Sequence, residues 1–242
     1  MNPQASNPNA RTQIVGDIDW SAVAADLDEH GHGDLGPLLT TGEAERLAED
    51  FDRTDLYRSH IRMQRHGFGQ GEYKYFADPL PSRIADLRAR LYPGLARIAN
   101  AWEDRLNTQR RWPHSHAELI AACRAAGQTR PTPLILRYGP GDYNCLHQDV
   151  YGELTFPLQV VILLSDPTAF EGGAFALTEQ RPRMQSRVET PRLRQGRGLV
   201  FPVNERPRRG ARGFYRVKQR HGVSRVLSGR RMTLGLIFHD AT

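Results

Sequence analysis

Apolar residues in the first part of the chain recur every three or four positions, which is the spacing of one helix face. This pattern over residues 20–29 predicts a helix that stops at Gly31. Thr40 and Glu43 stand three positions apart, as in a capping box, and predict a second short helix that ends near Phe51. The beginning of the chain is therefore predicted to be helical.

A β-hairpin is predicted after these helices. Residues 57–66 have an extended pattern, and residues 72–76 form the returning strand after a turn that contains Gly67, Gly69 and Gly71. The spacing of the three glycines is a weak nucleotide-binding signal. Because no strand–helix pattern surrounds it, we interpret this segment as the hairpin loop.

Helical spacing returns after the hairpin. Residues 81–107 carry a stripe of apolar side chains, and Pro93 suits the first turn of a helix, so two consecutive helices are predicted there. Ser115 and Glu118 form another capping box, which predicts a helix that stops at Gly127.

The pattern changes after Pro131, where seven short β-type runs follow one another between turns rich in Gly, Pro or Arg. Because no long helix separates these runs, they predict a sandwich or barrel and not a Rossmann sheet. The predicted fold class is α+β, with N-terminal helices that buttress a C-terminal β-sandwich. We expect a disordered tail over residues 1–15, a helical support region with a hairpin over 16–130 and a β core over 131–242, the last two forming one compact domain.

Composition narrows the classes of protein to which the chain can belong. Of its 242 residues, 39% are hydrophobic and 25% are charged, which is typical of a globular protein and excludes collagen and coiled coil. Cys123 and Cys145 are the only cysteines, which excludes a disulfide scaffold and a multi-cysteine metal site. Neither an apolar run of about 18 residues nor an apolar leader is present, so we expect no membrane span and a cytoplasmic location.

Positive charge is concentrated in residues 181–220, called the Arg-rich segment below. This segment has thirteen basic residues against two acidic ones, in a chain whose net charge is +6. Such a block can bind a polyanion such as nucleic acid. The alternative is ordinary solvated surface, because every basic residue except Lys74 and Lys218 is arginine, which suggests a genome-wide arginine bias.

The candidate chemistry begins with His147 and Asp149. These residues stand two positions apart and would project from the same face of an extended chain. Together with a histidine from a distant strand, they would form the two-histidine, one-carboxylate set of non-haem Fe(II) oxygenases. His32 and Asp34 have the same spacing, but they lie in a glycine-rich stretch without a strand to orient them.

The C-terminal segment supplies the distant histidine and a candidate anion clamp. His221 precedes Arg231 by ten residues, and Thr233 follows two residues later. If His221 ends one strand and Arg231 begins the next, the hairpin brings both into one pocket. A guanidinium there can bind a carboxylate through two parallel hydrogen bonds. Arg230 is the alternative clamp, but the spacing to Thr233 favours Arg231, because residues two apart share a strand face.

In this order and spacing, these segments resemble the Fe(II)/2-oxoglutarate-dependent dioxygenase superfamily, in particular its prolyl-hydroxylase-like branch. The resemblance runs from about Pro131 to Asp240, and it implies a double-stranded β-helix (jelly-roll) core. The residues that carry it are Tyr138, Pro140, Gly141, His147, Asp149, Gly172, Gly173, His221, Arg231 and Thr233.

The resemblance also implies cofactors and roles. Fe(II) would be bound by His147, Asp149 and His221, and 2-oxoglutarate by Arg231, Thr233 and Tyr138. O2 would be the second co-substrate and ascorbate a reductant. The implied reaction hydroxylates a substrate while 2-oxoglutarate and O2 become succinate and CO2.

Two further residues share the predicted face of His147. Cys145 is predicted to be a small buried hydrophobic residue and not an iron ligand. For Tyr143, contact with the substrate and an ordinary structural role remain open.

Three functions remain open. The first is hydroxylation of a protein side chain or a small molecule, which the Gly172-Gly173 pair favours. The second is oxidative dealkylation of nucleic acid, which residues 136–149 also resemble and which the Arg-rich segment would suit. That branch has a second arginine six positions after the first, where this chain has Ile237. The third is a jelly-roll binding module without catalysis.

Overall fold

The structure of the chain is a computed structural model that describes residues 17–242. The predicted disordered tail, residues 1–15, lies outside the described residues. The helices in the described part are α1 (Trp20–His30), α2 (Thr41–Glu49), α3 (Ser82–Arg105) and α4 (His116–Ala125).

The predicted helix ends are confirmed where local chemistry determines them. α1 ends at Gly31, whose φ of 77° is the left-handed conformation that favours glycine. Thr40 and Ser115 both form the predicted capping boxes, because each accepts a hydrogen bond from the backbone N–H of the glutamate three residues later.

The prediction of two helices over residues 81–107 is wrong. α3 is one continuous helix with Pro93 inside it. An interior proline costs about 3 kcal/mol, but each fully buried large apolar side chain stabilises by roughly 1.5–3 kcal/mol. The apolar stripe runs through the proline and is buried on both sides of it, so its burial outweighs the cost. Its members are Leu87, Leu91, Leu95, Ile98 and Trp102.

Fifteen strands follow one another within the described residues. In chain order they are β1 (Gly33–Pro37), β2 (Tyr57–Arg62), β3 (Gly69–Gln70), β4 (Glu72–Phe76), β5 (Leu134–Tyr138), β6 (Tyr143–His147), β7 (Leu158–Leu163), β8 (Phe170–Gly172), β9 (Phe175–Gln180), β10 (Arg187–Glu189), β11 (Arg197–Pro202), β12 (Glu205–Gly210), β13 (Gly213–Val223), β14 (Val226–Gly229) and β15 (Arg231–Ile237).

Two antiparallel sheets form the core. The large sheet has the order β1-β11-β7-β15-β5-β4-β2, and the small sheet has the order β10-β9-β13-β6-β3, with β12 also paired to β13. β8 and β14 pair with each other at the side. This arrangement is the predicted jelly-roll, and the α+β fold class is confirmed.

One face of the large sheet packs against the helices, and the other faces the inner space between the sheets. On β7, Val160 and Ile162 point to the helices, whereas Val161 packs with residues of the inner space between the sheets. This alternation follows from the two-residue period of a strand. The predicted core residues Phe156, Val160, Ile162 and Leu164 are all buried.

Segments before residue 131 complete both sheets. The predicted hairpin is present as β2 and β4, which pair with each other, although β2 ends at Arg62 and residues 63–66 form a 3₁₀ turn. β4 also pairs with β5. The glycine-rich turn contains the short strand β3, which pairs with β6 and was not predicted.

The predicted hairpin between His221 and Arg231 is wrong. β13 carries His221 in the small sheet, and β15 begins with Arg231 in the large sheet, with β14 between them along the chain. The two residues therefore approach each other across the inner space, from opposite sheets. Among the described residues, no helix combines the length and the apolar character that crossing a membrane would need.

Candidate iron and co-substrate site

A cavity of about 350 Å³ lies between the two sheets. Its walls include all six residues that the sequence analysis assigned to the site. Most of the remaining lining is apolar or aromatic. The assigned residues in its wall are Tyr138, His147, Asp149, His221, Arg231 and Thr233.

The three predicted iron ligands converge at this cavity. One nitrogen or oxygen atom from each of His147, Asp149 and His221 lies within 4.8 Å of the other two. Nε2 of His147 is 3.5 Å from Oδ1 of Asp149, and Nε2 of His221 is 3.2 Å from Oδ2 of the same carboxylate. Two imidazoles and one carboxylate form a donor set that suits Fe(II) and leaves coordination positions open.

Strand pairing brings the two histidines together. His147 at the end of β6 stands directly opposite His221 on β13, and their ring centroids are 4.2 Å apart. Asp149 follows two residues after β6 and turns its carboxylate toward both rings. The histidines are 74 residues apart in the sequence, and the antiparallel pairing of β6 with β13 places them side by side.

His147 is held as a metal-ready tautomer by its own strand. Its Nδ1 lies 2.8 Å from the carbonyl oxygen of Cys145. A carbonyl only accepts hydrogen bonds, so Nδ1 carries the proton and Nε2 presents its lone pair to the cavity. Burial, and next the nearby His221, lower the pKa of His147, which also favours the neutral ring.

Asp149 is held as a carboxylate. Burial alone would raise its pKa, but His221 and His147 and a hydrogen bond from Tyr151 hold the pKa well below its ordinary value. The Tyr151 hydroxyl donates to Oδ1 of Asp149 at 2.7 Å, and it accepts from the Tyr75 hydroxyl at 3.2 Å. Burial raises the pKa of Tyr151, so the phenol keeps its proton for this bond.

Tyr151 and Tyr75 are site residues that the sequence analysis missed. Tyr151 stands two positions after Asp149, and this spacing was the only local signal available. Tyr75 lies on β4, which reaches the cavity because it joins the large sheet beside β5. No local pattern reveals that contact.

Arg231 projects into the cavity as an unpaired buried cation. Its side chain is 2% exposed, and its Nη1 atom has no hydrogen-bond partner among residues 17–242. Burial lowers the pKa of the guanidinium to about 10, so it remains charged at neutral pH. A buried charge without a partner is costly, and the carboxylate of a bound co-substrate would satisfy it. The site therefore fits a dicarboxylic acid such as 2-oxoglutarate.

Neighbouring residues shape the space around this guanidinium. Tyr138 pairs with Arg231 across β5 and β15, and the Arg231 guanidinium lies 5.6 Å from the centre of its ring. Thr233 follows two residues later on the same face and is also buried. A Cβ atom at Gly173 would lie 2.7 Å from Cδ of Arg231, which explains why the second glycine of the Gly-Gly pair is needed.

Arg230 lies outside this cavity. Its side chain is exposed and lines a surface groove beside Arg137 and Gly139. The strand face that carries Arg231 and Thr233 points inward, as the spacing of these two residues predicted.

Cys145 and Tyr143 lie on β6 with His147. The prediction that Cys145 is buried is wrong, because its side chain is exposed at the rim of the cavity. β6 has only the two-residue strand β3 on one side, so little chain covers it there. Tyr143 is absent from the cavity wall, and the guanidinium of Arg225 lies 5.3 Å from the centre of its ring.

The other histidines do not join the cluster. Within residues 17–242, the three converging residues are the only group of this kind. Asp34 of the alternative H-x-D is paired with Arg197 at 2.6 Å. His116 is half-buried and His239 is fully buried, and burial lowers their pKa values to about 3 and about 4.

Comparison with known proteins identifies the family of the chain. A family model named Oxygenase-NA, described as an oxygenase catalysing oxidative methylation of damaged DNA, matches residues 71–241. The chain belongs to this family. The matched region contains every residue of the site described above, including Tyr75 on β4.

A curated relative is similar to the chain over most of its length. The chain is 53% identical over 167 residues to the uncharacterized protein Rv2227 of Mycobacterium tuberculosis H37Rv, an alignment that covers 69% of this chain and 72% of that protein.

Two solved structures share the fold. A Pseudomonas putida prolyl-4-hydroxylase has a TM-score of 0.51 at 14% identity, over 92% of this chain and 99% of that one. An oxidoreductase of the 2OG-Fe(II) oxygenase family from Burkholderia pseudomallei has a TM-score of 0.51 at 18% identity, over 94% of each chain. The predicted resemblance is confirmed: this member of the Oxygenase-NA family is an oxygenase with the fold of the 2OG-Fe(II) oxygenases, and its His147, Asp149 and His221 form a group that could hold a metal ion.

Proposed function

We propose that this dioxygenase removes alkyl groups oxidatively from damaged nucleic acid, with His147, Asp149 and His221 as its iron ligands. The main support for the iron site is that these three side chains converge in one cavity. The same cavity contains the unpaired guanidinium of Arg231. The choice of substrate is supported by the family description, which names damaged DNA, and by the aromatic lining of the cavity.

The bound iron would supply the oxidising power, using O2 and the electrons that 2-oxoglutarate releases as it becomes succinate and CO2. The protein's own contribution is positioning. Arg231 and Thr233 would hold the distal carboxylate of 2-oxoglutarate, and Tyr138 would line its path. Tyr151 would fix the Asp149 carboxylate through its hydrogen bond, and the Cys145 carbonyl would keep His147 in the tautomer that can bind metal.

The mouth of the cavity suits a planar substrate. Phe68 and Leu146 stand at this mouth with 47% and 48% of their surface exposed. The ring of His66 stacks against Phe68 with centroids 5.3 Å apart. Exposed aromatic rings of this kind bind unstacked bases, and oxidation of a base N-methyl group would yield a hydroxymethyl group that leaves as formaldehyde.

Hydroxylation of a protein side chain or a small molecule is the second candidate. Its support is Ile237, which is buried where the nucleic-acid-dealkylating pattern has a second arginine. The two candidates differ in their product, because a hydroxylated amino acid or metabolite releases no formaldehyde.

The test is a turnover assay with single-stranded oligonucleotides that carry N-methylated bases. We expect succinate and formaldehyde to form in equal amounts with the methylated strand, and only slow succinate formation with the unmethylated one. An Asp149→Asn variant is the control for iron-dependent chemistry. Succinate formation that no methylated strand accelerates, but that a peptide or metabolite does, would contradict the proposed substrate.

A further inference from the structure

Eight of the thirteen cations of the Arg-rich segment lie in two groups around the β12–β13 hairpin in the folded protein. On β13, residues alternate between exposed and buried from Arg216 to His221. Arg216, Lys218 and Arg220 therefore lie on the outer face of the small sheet, opposite the face that carries His221 into the cavity.

The inward-facing arginines share one carboxylate. Glu179 on β9 is 6% exposed and forms ion pairs with Arg181, Arg206 and Arg208. Arg206 also donates a hydrogen bond to the backbone oxygen of Asp28, at 2.8 Å, and so ties β12 to α1. Arg206 is fully buried and has a structural role, and Arg181 and Arg208 are held to the same carboxylate.

The outward-facing cations are largely free. Within residues 17–242, no carboxylate lies in ion-pair distance of Arg209, Arg212, Lys218 or Arg220, all of which are exposed. Arg216 has a single distant partner, Glu205 at 3.6 Å, and both side chains are solvent-exposed. Ion pairs of this kind contribute little and do not cancel the field of the neighbouring charges.

Five of the exposed cations form one stripe along the β12–β13 hairpin. Alternate residues on a strand are about 6.7 Å apart, so Arg216, Lys218 and Arg220 form a regular row. Arg209 stands opposite Phe214, which puts it on the same outer face as this row. Arg212 lies in the turn at the tip. The ring of Phe214, 40% accessible, stands at the end of this row beside Arg216, and the guanidinium of Arg105 lies 5.1 Å from its centre.

We infer that this outer face, here called the hairpin stripe (Arg209, Arg212, Arg216, Lys218 and Arg220), binds the phosphate backbone of a nucleic-acid strand. The stripe ends one residue before His221, so a strand that follows β13 is led to the end of the sheet where the iron ligand lies. The inference deepens the proposed function, on which the choice of a nucleic acid depends.

The physical argument favours a nucleic acid over a membrane. Regularly spaced cations with an aromatic ring at the end of their row match a chain of phosphates and bases. The residues paired with the row on β9 are Thr178 opposite Arg220 and Gln180 opposite Lys218. These are polar. The exposed apolar side chains on the same face are Phe214 and Val188, which stands opposite Thr178 on β10, so the five cations of the row and the turn outnumber the apolar groups that could insert into a lipid surface.

The test compares two triple variants that lose the same charge. The first replaces Arg212, Lys218 and Arg220 with Gln. The matched control replaces three exposed arginines of the helical side, Arg97, Arg124 and Arg130, with Gln. Each protein is titrated with an unmodified single strand of about 12 nucleotides over a range of salt concentrations. Fe(II) and 2-oxoglutarate affinities are measured in parallel to verify that the cavity is intact.

Each phosphate contact on a single strand contributes about 0.7 to the salt slope, so the hairpin variant should lose about 2 units of slope. At about 0.1 M salt this corresponds to a loss of about 100-fold in affinity. The control variant should keep the wild-type slope. Equal losses in the two variants, or a wild-type protein that does not bind the strand, would overturn the inference.

Two further outcomes distinguish the hairpin stripe from the proposed reaction, and a third distinguishes nucleic acid from an anionic lipid surface. If the hairpin variant binds the strand normally and releases formaldehyde, the proposed dealkylation is supported, and the role of the hairpin stripe in binding is contradicted. Strand binding lost in the hairpin variant, without formaldehyde from any methylated strand, would support the stripe and contradict the substrate. Binding to phosphatidylserine vesicles in place of the oligonucleotide would overturn the choice of nucleic acid.

Discussion

Replacement of Arg231 by methionine should have opposite effects on the ligand-free and the ligand-bound protein. In the ligand-free protein, Arg231 is a buried cation whose Nη1 lacks a partner within residues 17–242. Exchange of buried charged groups for apolar ones of similar volume stabilises by about 1–4 kcal/mol in favourable cases. We therefore expect Arg231→Met to raise the free energy of unfolding of the ligand-free protein by an amount in this range.

The affinity for 2-oxoglutarate should fall in Arg231→Met. Truncating one partner of a buried hydrogen-bonded charge pair costs about 2–5 kcal/mol, which is about 30-fold to several thousand-fold in Kd. At a concentration 100 times the wild-type Kd, 2-oxoglutarate should stabilise the wild-type protein by about 2.7 kcal/mol. At the same concentration, the variant should gain less than about 1 kcal/mol.

The assay is urea unfolding under anaerobic conditions with Fe(II), with and without 2-oxoglutarate. Arg230→Met is the matched control, because Arg230 is exposed and lies outside the cavity. Its stability should change by less than about 0.5 kcal/mol, and its response to 2-oxoglutarate should be that of the wild type. Equal responses of the two variants, or a full ligand response in Arg231→Met, would refute the assignment of Arg231 as the clamp.

Three other predictions concern the iron ligands and the protein interior. Asp149→Asn keeps the size of the side chain but removes its charge, and it should abolish succinate formation; a turnover assay that finds normal rates would contradict this. Tyr151→Phe removes the hydrogen bond to Asp149 and should weaken Fe(II) binding roughly 10- to 100-fold; unchanged affinity in anaerobic dialysis would show that the bond does not support the site. His116 and His239 have pKa values lowered to about 3 and about 4 by burial, so the unfolded chain binds more protons below pH 6.5. Stability should therefore fall by about 2 kcal/mol for each histidine between pH 7 and pH 5, and a flat profile in urea unfolding would be inconsistent with two neutral buried rings.

Sequence patterns predicted the features that depend on neighbouring residues. The capping boxes at Thr40 and Ser115 need only a glutamate three positions later, and both are present. The inward face shared by Arg231 and Thr233 follows from the strand period. The order of the β runs was sufficient to predict the sandwich.

Features that depend on distant segments were predicted less well or not at all. Pro93 looks like a helix start in the sequence, but packing of the stripe on both sides of it keeps α3 continuous. Cys145 looks like a buried residue, but only the short β3 covers its strand. The contact from Tyr75 to Tyr151 needs β4 to join the large sheet, and no local signal indicates that pairing.

The sequence alone also does not show which charges of the Arg-rich segment are exposed. Its net charge is visible in the sequence, but its division between inward and outward faces depends on the pairing of β12, β13 and β9. Glu179 lies just before the segment, pairs with three of its arginines and offsets one of their three charges. A count of charges therefore overestimates what the segment can offer to a partner.

The most direct test of the iron site is anaerobic equilibrium dialysis of Fe(II) against the wild-type protein and the single variants His147→Ala and His221→Ala. The two residues come from strands 74 positions apart in the sequence, and their rings are neighbours in the cavity. We predict one tightly bound Fe(II) per wild-type chain and a large loss of affinity in each variant. Wild-type affinity in either variant would contradict the proposal that these side chains hold one metal ion.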